Sequence, residues 1–107
     1  MTEVSSEELQ ALFFKMMANK DRLKIMNTVN GKEKTVTQIC KDTGFEQTWV
    51  SHSLKLLRNN GIVDSRRDGK YIYYKLDNNM KPVMSTVEKI TPKYRNKLGG
   101  WYTCARK

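Results

Sequence analysis

The sequence predicts an α+β chain, mostly α, with five helices and one β-hairpin, and three observations carry that expectation. Apolar residues recur at helical spacing near both ends, as Leu9, Leu12, Phe13, Met16 and Met17 and again as Met80, Val83, Met84, Val87 and Ile90. Two strand-like runs, 62–67 and 71–76, the second rich in aromatic and β-branched residues, flank Asp68-Gly69, a dipeptide suited to a two-residue hairpin turn. Directly before them, the stretch QTWVSHSLKLL (47–57) puts Val50, Leu54 and Leu57 on one stripe of a helix. A short helical pattern ending at Gly44 precedes that stretch.

The elements follow in order. Ser5 and Ser6 with Glu8 form a capping-box start for a first helix over about 5–18. Its stripe fits plain core, and with its flexible methionines it also fits a partner helix. Asn19 to Asp21 can cap a second helix at 22–29, with Leu23, Ile25, Met26 and Val29 inward and Asn30-Gly31 ending it. Lys32, Glu33 and Lys34 form a polar loop. Thr35 with Gln38 is a second capping box, opening a short helix with Val36 and Ile39 inward. Across the turn at 43–46 comes the 47–57 helix, closed by Asn59, Asn60 and Gly61. The last helix starts near Met80, accepts Pro82 in its first turn and ends or kinks at Pro92, with one further turn to residue 98. By length the chain is one domain over 1–98, with helix-turn-helix at about 35–60, hairpin at about 62–77, terminal helices at about 5–18 and 80–98, and a basic tail at 99–107.

The 107 residues carry 20 Lys and Arg against 11 Asp and Glu, a net charge of +9. The first fourteen residues hold Glu3, Glu7 and Glu8 and no base. Residues 55–75 hold Lys55, Arg58, Arg66, Arg67, Lys70 and Lys75 against two acids, and residues 93–107 hold five bases and none. This distribution fits a polyanion partner; a membrane surface or simple solubility would also draw on it. No apolar run is long enough to cross a membrane, and the acidic start does not resemble a signal peptide, so the chain is expected in the cytoplasm with reduced thiols.

Opposite its apolar stripe, the 47–57 helix presents Gln47, Thr48, Ser51, His52 and Lys55. Short hydrogen-bonding side chains with one cation, and no alternating Glu/Lys lattice, suit base edges in a major groove. A solvated face would look similar in an isolated helix. A short bracing helix before it and a basic hairpin after it favour DNA, since the pair has helix-turn-helix spacing and the hairpin would be a wing. Arg66, Arg67 and Lys70 near the hairpin tip would then reach phosphates or the minor groove. No nucleophile–base pair surrounds His52, no carboxylates cluster and no glycine-rich phosphate loop occurs, so no enzyme is expected.

The run SHSLKLLRNNGIVDSRRDGKYIYYKL (51–76) resembles the winged-helix core of ArsR/SmtB-type repressors. Ser51, Leu54, Leu57, Gly61, Ile62, Val63, Arg66, Arg67, Gly69, Tyr73, Tyr74 and Leu76 fill the family's pattern, and Asp21, Leu23 and Ile25 extend it upstream. The resemblance covers roughly residues 10–90 and implies a winged helix-turn-helix with N- and C-terminal dimerisation helices and one β-hairpin wing. It implies a homodimer joined through Leu9, Leu12, Phe13, Met16, Met17, Val83, Met84, Val87 and Ile90. It further implies a sequence-specific double-stranded DNA-binding regulator, a repressor of its own operon, with Gln47, Thr48, Ser51 and His52 in the groove. The alternative is a protein-interaction or architectural module that binds DNA non-specifically. This chain departs from the pattern at Thr48, where proline is frequent, and at His52-Ser53, where Arg-His is frequent.

The family's metal sites are not matched. Cys40 stands where the last cysteine of the arsenic-type cluster falls, but Thr35 and Thr37 occupy the other places, and the last helix offers only Glu88. No cofactor or metal is therefore expected. Cys40 fits a small buried hydrophobe and Cys104 a tail residue; alternatively the two are thiol sensors of an oxidant or soft metal, with nearby Arg and Lys lowering the pKa of Cys104.

Overall fold

The computed structural model describes residues 3–95, in two compact units that divide between Leu76 and Asp77. In the first unit, α1 (Ser6–Met17) begins where the Ser5 hydroxyl accepts the Glu8 N–H at 3.1 Å. α2 (Lys20–Thr28) starts two residues earlier than the sequence suggests, because the Asn19 side chain alone caps it by accepting the Arg22 N–H. Arg22 then donates through Nε to the Met16 carbonyl at 2.9 Å and through a terminal nitrogen to that of Lys15. The last carbonyls of α1 thus find a donor on α2.

α3 (Val36–Thr43) opens with the expected capping box: the Thr35 hydroxyl accepts the Gln38 N–H while the Gln38 side-chain Oε1 accepts the Thr35 N–H. Thr35→Ala should cost about 1 kcal/mol in thermal or denaturant unfolding, with Thr35→Ser recovering most of it. Gly44 closes α3 at φ +77°, a left-handed cap that a Cβ would strain. Its neighbour Thr43 donates to the Ile39 carbonyl and accepts the Phe45 N–H, so one hydroxyl both ends α3 and starts the turn.

α4 (Gln47–Asn59) follows. β1 (Val63–Asp68) and β2 (Tyr71–Leu76) pair antiparallel from Val63↔Leu76 to Asp68↔Tyr71. The register corrects the expected turn. Asp68 is the last paired residue, and the two-residue loop is Gly69-Lys70, with Gly69 at φ +63° and Lys70 not at positive φ. Glycine stands first in the turn, the arrangement in which only that position needs positive φ. The Lys32–Lys34 loop is also more ordered than expected: Lys34 exchanges both backbone hydrogen bonds with Tyr74, at 3.0 and 2.8 Å, extending the sheet by one residue. The Leu76 N–H bonds the Val29 carbonyl, tying the hairpin's end to that of α2.

The core of this unit is Ile25, Met26 and Val29 of α2, Ile39 of α3, Val50, Leu54 and Leu57 of α4, and Ile62, Val63 and Leu76 at the hairpin base. Leu23 and Val36, expected inward, are only half-buried. Within the second unit, α5 (Met80–Ile90) carries Pro82 in its first turn and gives way to a 3-10 turn, Thr91–Tyr94, at Pro92. Met80 and Met84 are buried. The expected basic tail at 99–107, with Cys104, lies outside the described residues, as do residues 96–98 of the expected last helix.

Candidate nucleic-acid interface

α4 is divided along its length as its sequence demands. Val50, Leu54 and Leu57 are fully buried, and Gln47, Thr48, Ser51, His52 and Lys55 are all exposed. The five expected groove-facing residues therefore form one continuous outward face. Glu46 occupies the N-cap without a side-chain hydrogen bond, and no acid lies in the first turn. Arg58 and Asn59, also exposed, extend the polar face toward the helix end.

Sequence reading missed two residues on the inner side. Ser53 is buried to 1% exposure, and its Oγ and the Trp49 Nε1 are buried without a hydrogen-bond partner. A spacing of three from Val50 and four from Leu57 marks the Ser53 position as inward, but its polar identity masks it. The turn before α4 is fixed from a second direction by Phe45, over whose ring the Lys24 ammonium sits at 5.4 Å.

On the hairpin, the alternation places Arg66, Asp64 and Asp68 on one face with Tyr71, Tyr73 and Lys75, and Arg67 on the other with Ser65, Ile72 and Tyr74. Lys70 stands at the turn with its ammonium 5.4 Å from the Tyr71 ring centre. The three cations named from the sequence are thus not equivalent. Arg67 and Lys70 form no ion pair among the described residues, whereas Arg66 donates from Nε to Glu33 at 2.5 Å and lies over Tyr73 at 4.8 Å. The bond from Arg66, helped by the charge of Lys75, holds the Glu33 carboxyl below its ordinary range. A carboxyl so lowered keeps its ion pair at neutral pH and gives it up only as the pH falls through that lowered value.

The terminal helices distribute their apolar residues unequally. Leu9 and Leu12 of α1 are about 60% exposed, Phe13 and Met16 are half-buried, and Met17 is buried within the chain. Leu9, Leu12, Phe13 and Met16 line an open groove with Asn60 and Ile62. Phe14, which the stripe omits, is 66% exposed and packs edge-on to Phe13. On α5, Val87 and Ile90 are exposed, Val83 half-buried and Met84 buried. Cys40 is a half-buried free thiol on α3. Among the described residues no three His, Cys, Asp or Glu side chains gather as a metal site would require, and no helix is long and apolar enough to cross a membrane.

Known proteins share this arrangement. The profile of the family described as "Bacterial regulatory protein, arsR family" matches residues 19–65, from the cap of α2 into β1. The cadmium resistance transcriptional regulatory protein CadC of Listeria innocua is 37% identical over 67 residues, covering 62% of this chain and 56% of that protein. The chain thus spans little more than half the length of this relative. The crystal structure of NolR from Sinorhizobium fredii superposes with a TM-score of 0.69 at 27% identity, covering 85% of this chain and 97% of that one. A homodimeric winged helix-turn-helix DNA-binding domain from Mycobacterium bovis, a possible ArsR-family regulator, superposes at 0.66 with 25% identity, covering 88% and 92%. In this matched segment, its relatives and its order of elements, the chain is similar to the ArsR family of bacterial regulatory proteins.

Proposed function

We propose that this chain is a cytoplasmic, sequence-specific double-stranded DNA-binding transcriptional regulator that acts as a homodimer to repress its own operon. The observation that carries the reading is the outward face of α4. Gln47, Thr48, Ser51, His52 and Lys55 are exposed together, without an acid among them, on a helix held down by three fully buried side chains. Amides, hydroxyls and a cation on a rigid helix are what base edges in the major groove can pair with. Arg67 and Lys70 add positive charge on the hairpin for the backbone beside that groove. Nothing in this arrangement calls for catalysis.

A homodimer is supported by the apolar groups that one chain leaves exposed, Leu9 and Leu12 on α1 and Val87 and Ile90 on α5, and by the homodimeric Mycobacterium bovis domain. Met17 and Met84 are spent within the chain and would contribute little. Two α4 helices would then sit about one turn of DNA apart on a pseudo-palindromic site. The regulator works without the family's usual metal sites; an oxidant or soft metal acting through Cys40 or Cys104 is the effector its residues allow.

Selection of binding sites from random DNA tests the reading. A repeated half-site with two-fold symmetry is the expected result, and a pool that stays random after enrichment would favour an architectural, non-specific binder.

A further inference from the structure

The loop before α3 and the middle of the hairpin meet in a way that a DNA-reading helix does not by itself require. Lys34 pairs both backbone groups with Tyr74, which sets Glu33 on the side of the sheet that carries Arg66, Tyr73 and Lys75. There the Glu33 carboxylate accepts from Arg66 Nε, the guanidinium covers the Tyr73 ring, and Asp68 lies 3.9 Å from another guanidinium nitrogen. The carboxylate comes from 33 positions away, so the contact joins two elements and not two neighbours in one strand. An exposed ion pair alone adds little to stability. Here, however, the Nε edge and the flat face of the guanidinium are both engaged, beside a backbone bridge that fixes the carboxylate's own strand position.

We propose that Glu33 and Arg66 are positioning residues, a brace that sets the pitch of the hairpin relative to the helix-turn-helix. Arg66 then acts on DNA only through that pitch, and the phosphate contacts of the hairpin are made by Arg67 and Lys70. The proposal rests on the DNA-binding reading above. It divides three cations that the sequence cannot tell apart.

The test compares the parent with Arg66→Gln, Glu33→Gln, the double variant, and Arg67→Gln and Lys70→Gln. Affinity for a selected operator is measured across salt concentrations, and amide hydrogen exchange of the hairpin is measured without DNA. Loss of a phosphate contact lowers the slope of log affinity against log salt by about one. Arg67→Gln and Lys70→Gln should show that loss, while Arg66→Gln and Glu33→Gln should keep the parental slope. The brace variants should weaken operator binding several-fold and by similar amounts, with the double variant no worse than either. Both should speed exchange at Gly69–Ile72. A slope lowered by about one in Arg66→Gln, additive losses, or a Glu33→Gln variant that tightens on all DNA would overturn the brace. Should the parent bind no DNA, the regulator reading falls, and unchanged exchange in Glu33→Gln would overturn the brace independently.

Discussion

Leu54→Ala should lower the stability of the chain by about 3 kcal/mol, within the range of about 2–5 for a fully buried leucine truncated in a packed core. For a domain near this size that is a fall of about 10–20 °C in melting temperature. Leu54 lies at the centre of the inward stripe of α4, between Val50 and Leu57, all three without exposed surface. The same helix carries the exposed set proposed to face DNA, so the cavity would loosen the one element that must be rigid for base contacts to be reproducible. Ser51→Ala, one turn away on the outward face, should change stability by no more than about 0.5 kcal/mol. Thermal unfolding of the two variants side by side is the check. Equal effects would mean that α4 is not held by this stripe.

Gln47→Ala should produce the largest change in recognition. An amide that pairs bidentately with a base edge is worth about 1–3 kcal/mol of discrimination, roughly 5- to 150-fold between the right base pair and a wrong one. Gln47 is exposed at the first position of α4, where a recognition helix meets the bases. The variant should keep its non-specific affinity and its salt dependence, since no charge is removed, and should lose preference at one position of each half-site. Binding to a panel of single-base operator variants reads this directly. A uniform loss across the panel would assign Gln47 to the backbone instead.

Much of this molecule was legible because its signals are local. The caps at Ser5 and Thr35 follow from short hydrogen-bonding side chains placed three residues before a backbone donor, and both form. The division of α4 follows from helical periodicity, and the structure keeps every expected outward residue outward. The hairpin itself was legible from its two strand-like runs.

What was not legible depends on partners distant in sequence. Asp68-Gly69 and Gly69-Lys70 are both acceptable turns for a two-residue loop. The choice is made at the other end of the hairpin, where Val63 and Leu76 pair in the core and so fix the register. The single bridge between Lys34 and Tyr74 leaves no periodic trace, since one residue has no period. Arg66 carries the same charge as Arg67 and Lys70, and only the fold shows a carboxylate brought to it from Glu33. Ser53 is misleading for the opposite reason, a polar side chain in an apolar row.

The most direct measurement of the central claim is the ratio of affinities for a selected operator and for random duplex of equal length, taken at several salt concentrations. A specific regulator of this class should favour its operator by about 10³-fold or more, with both affinities falling steeply as salt rises. A ratio near one at every salt concentration, with the steep salt dependence retained, would contradict the account: the basic surface would bind DNA, and the face of α4 would read nothing.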